Sequence, residues 1–164
     1  MMFTRQPLSR EKALAKLAAL CARAEYCTGD MEDKMRRWGL SGDDIKAHTD
    51  TVALDRLIAF TLTADGGPSE GACEELRSRF LESPHTVLAY LVLMGDQTVS
   101  SDDSTPAAEF ICGQIASADA AWHDGSEEFA QVMESCKADY PEGPAAELLS
   151  KMETAHEASL ERNK

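Results

Sequence analysis

The chain has 164 residues, with 16 Lys/Arg against 29 Asp/Glu and a net charge of −13. At 43% apolar and 6% aromatic residues it has the makeup of a folded domain, not of a disordered or collagenous chain. So negative a balance argues against a general binder of nucleic acid or any other polyanion.

Helical periodicity dominates and strand-like alternation is nearly absent, which predicts an all-α fold. The first helix is expected from Ser9 to about Tyr26, with Ala13, Leu14, Leu17, Leu20, Cys21 and Ala24 on one stripe. A second follows Thr28 or Asp30, carries Met31, Met35 and Trp38, and stops at Gly39. Ser41 and Asp44 read as a capping box for a short third helix. Asp50 or Thr51 reads as the cap of a fourth, lined by Leu54, Leu57, Ile58, Thr61 and Leu62.

Gly66-Gly67-Pro68 breaks the chain. Ser69 is the expected cap of a helix that buries Leu76, Phe80 and Leu81 and turns Arg77 and Arg79 outward. Ser83-Pro84 opens the next, with Val87, Leu88, Leu91 and Val92 inside and a stop near Gly95. Residues 96–105 are polar and acidic and read as a loop, and Thr105-Pro106 repeats the cap-plus-proline signal. Phe110, Ile111, Ile115 and Ala118 mark the following helix. His123-Asp124-Gly125-Ser126 is a turn and cap before Phe129, Val132, Met133 and Cys136. After 140–144, Leu148, Leu149, Met152, Ala155 and Leu160 face inward on the last helix. The sum is eight or nine short helices in a compact or tandem-repeat bundle, a single domain over 1–164 with its one candidate sub-boundary near 46–50.

Charge is unevenly placed. Residues 1–44 hold 8 Lys/Arg and 7 Asp/Glu, whereas 45–164 hold 8 and 22, and no Lys or Arg lies between Arg79 and Lys137. A solvated acidic coat, a surface for a basic partner and mimicry of DNA all fit that pattern. The start, Met1 to Pro7, lacks the apolar run of a signal peptide, and no apolar stretch approaches the roughly 18 residues of a membrane span. A cytoplasmic location without a membrane partner is therefore expected. Five scattered cysteines, Cys21, Cys27, Cys73, Cys112 and Cys136, without a Cys-x-x-Cys, read as reduced, buried thiols.

Motifs for catalysis or metal binding are sparse. His48, His85, His123 and His156 have no second His at helical ligand spacing. Glu153-x-x-His156 is half of a di-iron motif; its counterpart is missing, so it reads as a solvated helix face. The chain has neither Gly-x-Ser-x-Gly nor a phosphate-binding glycine loop. No catalytic residue, metal ligand or cofactor is expected from these residues alone.

Two stretches carry resemblances. Residues 13–41 form an Ala-rich helix ending in Arg23-x-Glu25-x-Cys27, then Asp30 and a helix through Lys34-Met35 to Trp38-Gly39-Leu40. This resembles the first helical repeat of RecX regulatory proteins, over about residues 10–44. The resemblance implies tandem three-helix repeats and a non-catalytic regulator that binds RecA and restrains its filament, without sequence-specific contact to nucleic acid. Lys34, Arg36, Arg37 and Trp38 are then the candidate partner-binding patch, bases flanking an aromatic. The plainer reading packs Trp38 with Met31 and Met35.

Thr63 to Ser69 and Met94 to Ser100 align with each other at an offset of 31. Apolar helix, Ala-Asp-Gly, then Ser and an acidic helix is similar to the tellurite-resistance TerB family, a fainter likeness spanning 57–113. It implies Asp65 and Asp96 as metal-ligand candidates in a stress protein. The remaining alternative is an acidic helical interaction protein, such as an immunity protein, inhibitor or chaperone, with a basic partner.

Overall fold

The structure is a computed structural model that describes residues 33, 35–37, 41–63, 67–100 and 103–164. The helix expected at 9–26, with Cys21 and Cys27, lies outside the described residues. The chain divides into two compact units, Met1–Ala53 and Leu54–Lys164.

In the first unit, residues 33 and 35–37 are helical and Met35 is fully buried. Helix α1, Gly42–Thr63, continues through the division. A new helix was expected at Asp50 or Thr51, but α1 runs through both without a break. The Thr51 hydroxyl turns back to the Ala47 carbonyl, as Thr61 does to Leu57 and Thr63 to Ala59. A threonine whose hydroxyl bonds the preceding turn stays inside a helix instead of capping one. Counting the helical residues 33 and 35–37, the described residues hold seven helices against the eight or nine expected of the whole chain, and this merger accounts for one of the difference.

The second unit adds α2 (Gly67–Glu82), α3 (Pro84–Leu93), β1 (Thr98–Ser100), β2 (Asp103–Pro106), α4 (Ala107–Trp122), α5 (Glu127–Asp139) and α6 (Pro144–Arg162). Pro84 stands in the first turn of α3, where its missing N–H costs nothing, and Gly95 at φ +56 turns the chain after it. Gly143, at φ +90, turns the chain into Pro144 and α6. The stretch read as an acidic loop is a short antiparallel hairpin, Thr98 opposite Pro106 and Ser100 opposite Asp103, with an irregular register between. Pro106 lacks the N–H that would continue a ladder, so β2 ends there and α4 begins at the next residue. The Ala107 amide donates to the Gln97 carbonyl at 2.8 Å, tying the start of α4 to the hairpin.

Helices α2, α4 and α6 run side by side in the same direction. Side-chain contacts between α4 and α6 pair Glu109 with Lys151, Ser117 with Ser159 and Ala120 with Asn163, a nearly constant offset of 42 or 43. Between α2 and α4 they pair Cys73 with Gln114 and Arg77 with Asp119, at 41 and 42. Both partners advance together, so each pair is parallel. Helices α3 and α5 pack against α2, α6 and each other. Apolar faces meet in one core that includes Leu76, Phe80, Leu88, Ile111, Phe129 and Met152. Inside it the Phe80 and Phe129 rings lie 5.9 Å apart in a tilted pair.

Core and surface positions make opposite forecasts. Ile111, with 0% exposure, should lose about 2–5 kcal/mol of unfolding free energy when changed to Ala. Leu93 is 84% exposed, and Leu93→Ser should cost under about 0.5 kcal/mol. Urea unfolding followed by circular dichroism measures both.

Candidate functional site

The sequence places Arg77 among the outward residues of its helix, but the structure buries it at 6% exposure. The cause lies on α4. Asp119 falls one turn beyond Ile115 on the apolar stripe of that helix and is fully buried. A carboxylate taken out of water must find donors, and Asp119 finds four. Arg77 Nε donates to its Oδ1 at 2.8 Å and Ser126 Oγ to the same oxygen at 2.6 Å. The Ser126 amide donates to Oδ2 at 2.9 Å, and His156 Nε2 meets Oδ2 at 2.9 Å. An ionised carboxylate only accepts, so this imidazole nitrogen carries the hydrogen.

The donors come from separate elements. Arg77 belongs to α2 and His156 to α6, while Ser126 caps α5, its Oγ accepting from the Phe129 amide at 3.2 Å. The turn 123–126 folds back over Asp119, whose carbonyl accepts from the His123 and Gly125 amides. His156 stacks on Phe129 with ring centres 4.7 Å apart. Glu74 borders the cluster, paired with His123 at 3.0 Å and lying 3.6 Å from Arg77. His156, read from sequence as a solvated face, is thus a largely buried partner of the carboxylate.

Burial pushes the Asp119 carboxyl up, but the bonds from Ser126, Arg77, His156 and the Ser126 amide outweigh it and hold it below the ordinary carboxylate range. Chemically the cluster is closed. Ser126 gives its proton to Asp119 and accepts from Arg77 Nη2 at 3.1 Å, while His156 Nε2 is committed to Asp119 rather than to the serine. This arrangement clamps helices together; it does not activate the Ser126 hydroxyl.

The residues expected to matter sit elsewhere. Arg36 and Arg37 are exposed, Arg36 paired with Asp33 at 3.0 Å. Lys34 and Trp38 lie outside the described residues, as does Asp65. Asp96 is exposed, and the chain beyond it enters β1, whereas the chain beyond Asp65 enters α2, so the two aligned stretches lead into different structures. Among the described residues no three His, Cys, Asp or Glu side chains cluster as metal ligands would. The buried thiols of Cys73, Cys112 and Cys136 are free. Burial, helped by Glu109, pushes Cys112 up to about 12, and it raises Cys73 and Cys136 too, so these three stay protonated near neutral pH. No helix among the described residues is long and apolar enough to cross a membrane.

On the side of α4 turned away from the core, a groove of about 850 Å³ runs between α4 and α6. Phe110, Gly113, Ser117, Ala155 and Ala158 line it. Glu109 and Lys151 bridge one end at 3.2 Å, and Glu161 and Arg162 stand at the other. The chain matches no family model, no curated protein and no solved structure.

Two outcomes test the clamp. Asp119→Ala takes from the buried Arg77 guanidinium its nearest carboxylate and should cost about 3–5 kcal/mol of stability in chemical unfolding. Because Asp119 titrates lower folded than unfolded, its contribution is complete above the unfolded value of about 4 and is lost as pH falls through the folded one. Unfolding free energy measured across that acid range should fall less steeply for Asp119→Asn than for the parent chain.

Proposed function

We propose that this chain is a non-catalytic regulatory protein that works by protein–protein binding, its acidic unit meeting a basic partner. The observation that carries this reading is where the cations go. Residues 54–164 hold 21 Asp/Glu and only 7 Lys/Arg. Arg77 is spent on buried Asp119, Arg79 on Glu75, Lys151 on Glu109, and Lys137 on Glu153 and Glu134. Exposed carboxylates such as Glu70, Glu82, Glu128, Glu147 and Glu157 then set the sign of the outer field. A field of one sign speeds encounter with a partner of the other and repels like-charged ones.

A second reading, a RecX-like modulator of RecA filaments, is favoured by the likeness of residues 13–41 together with the exposure of Arg36 and Arg37. In that case the helical body lies against RecA subunits and blocks growth or favours disassembly.

The two readings part in one experiment. Binding of the full chain to RecA filaments on single-stranded DNA is measured beside affinity capture of basic proteins, each at about 0.1 M and about 1 M salt. The basic-partner reading expects saturable capture of a basic protein that high salt abolishes and that Glu127→Lys with Glu128→Lys weakens. Capture indifferent to salt and to those changes overturns it. The filament reading expects Arg36→Glu with Arg37→Glu to weaken RecA binding by more than about 1 kcal/mol. Unchanged affinity in that double variant removes the patch from the reading.

A further inference from the structure

We propose that the groove between α4 and α6 seats the same groove of a second copy of this chain, related by a two-fold axis along the helices. Two chains of net charge −13 repel each other wherever their acidic faces meet. Along the groove that repulsion is weak. Its borders set Lys151 and Arg162 against Glu109 and Glu161, so the charges lining it cancel. Between them lie Phe110, Ala155 and Ala158, which, with the aliphatic stems of Lys151 and Arg162, offer apolar surface to cover.

The two serine hydroxyls of the floor already have partners within the chain. Ser117 and Ser159 bond each other at 3.1 Å, and Arg162 Nη2 donates to Ser159 Oγ at 2.9 Å. Covering the floor therefore strands no hydroxyl there. The match of charges is self-complementary. Glu109 on α4 and Lys151 on α6 stand at one level across the groove. A two-fold axis along the groove lays the α6 of each copy over the α4 of the other, so Glu109 of each meets Lys151 of its mate, the same pair formed twice. A foreign partner has to supply this pattern of signs, whereas a second copy carries it by symmetry.

Sedimentation of the full chain over a range of concentrations reads the association directly. A reversible dimer is expected. Glu109→Lys and Lys151→Glu each set like charges face to face twice and should weaken dimerisation by more than about tenfold. Mixed in equal amounts, the two variants should associate again, because every contact between a Glu109→Lys chain and a Lys151→Glu chain is of opposite sign. Rescue on mixing cannot come from damage to either fold. Independently, Gly113→Leu should abolish the dimer while leaving the helical spectrum intact, since a Cβ at Gly113 meets nothing within 4 Å and leucine favours a helix over glycine. A chain that stays monomeric up to about 1 mM overturns the proposal. So does a dimer that survives both charge variants and Gly113→Leu, or variants that fail to associate on mixing. Binding to a basic protein or to RecA is scored separately and leaves this test untouched.

Discussion

One buried carboxylate joins four helices of the second unit. Asp119 on α4 takes Arg77 from α2, His156 from α6 and both the hydroxyl and the amide of Ser126 at the start of α5. A buried ion pair need not be more stabilising than an apolar cluster of the same volume, because removing both charges from water costs several kcal/mol. Its geometry is more exacting than apolar contact. A slip of α4 by one turn, about 5.4 Å, would carry the carboxylate away from all of these donors at once. Leucine and isoleucine faces tolerate small slips far better. The clamp therefore selects one register among those that the apolar faces alone would accept.

That register has a consequence on the opposite side of α4. Because α4 and α6 advance together, with Glu109 beside Lys151 and Ser117 beside Ser159, the groove between them has aligned walls and matched charges at its borders. Neither the ion pair nor the serine pair would form if the helices were antiparallel or shifted by a turn. Parallel neighbours need a return segment, and α5 with the 140–143 turn supplies it, Gly143 taking the positive φ that the entry to α6 requires. Core, clamp and groove are thus three faces of the same alignment, and the acidic residues left over are those that none of the three consumes.

The sequence signals that carried through have local causes. Pro84 after Ser83, Gly95 past the end of α3 and Ser126 before α5 act through their own backbone geometry or through amides within three residues. The apolar spacing of Val87, Leu88 and Leu91, and of Phe129, Met133 and Cys136, likewise marked the buried faces. What misled was also local: Asp50-Thr51 has the composition of a cap, yet Thr51 bonds the preceding turn, and the polar run 96–105 pairs with itself as a hairpin. Asp119 was legible as an oddity, one charge on the stripe of Ile111, Cys112 and Ile115. Nothing near it in sequence named its partners beyond Ser126, since Arg77 and His156 lie 42 and 37 residues away.

The amino-acid sequence by itself determined the helical class, most of the helix ends after residue 67, the core faces of those helices and the strongly acidic balance of residues 45–164. These depend on residue periodicity, on backbone preference within a turn and on the simple sum of charges. Only the tertiary structure decided that α2, α4 and α6 run parallel, that Arg77 and His156 turn inward, and that Lys151 is drawn to Glu109 across a groove. Each of these is a pairing between residues about 40 positions apart. A buried charge requires a partner without specifying its place in the chain, and only the packed helices supply that place.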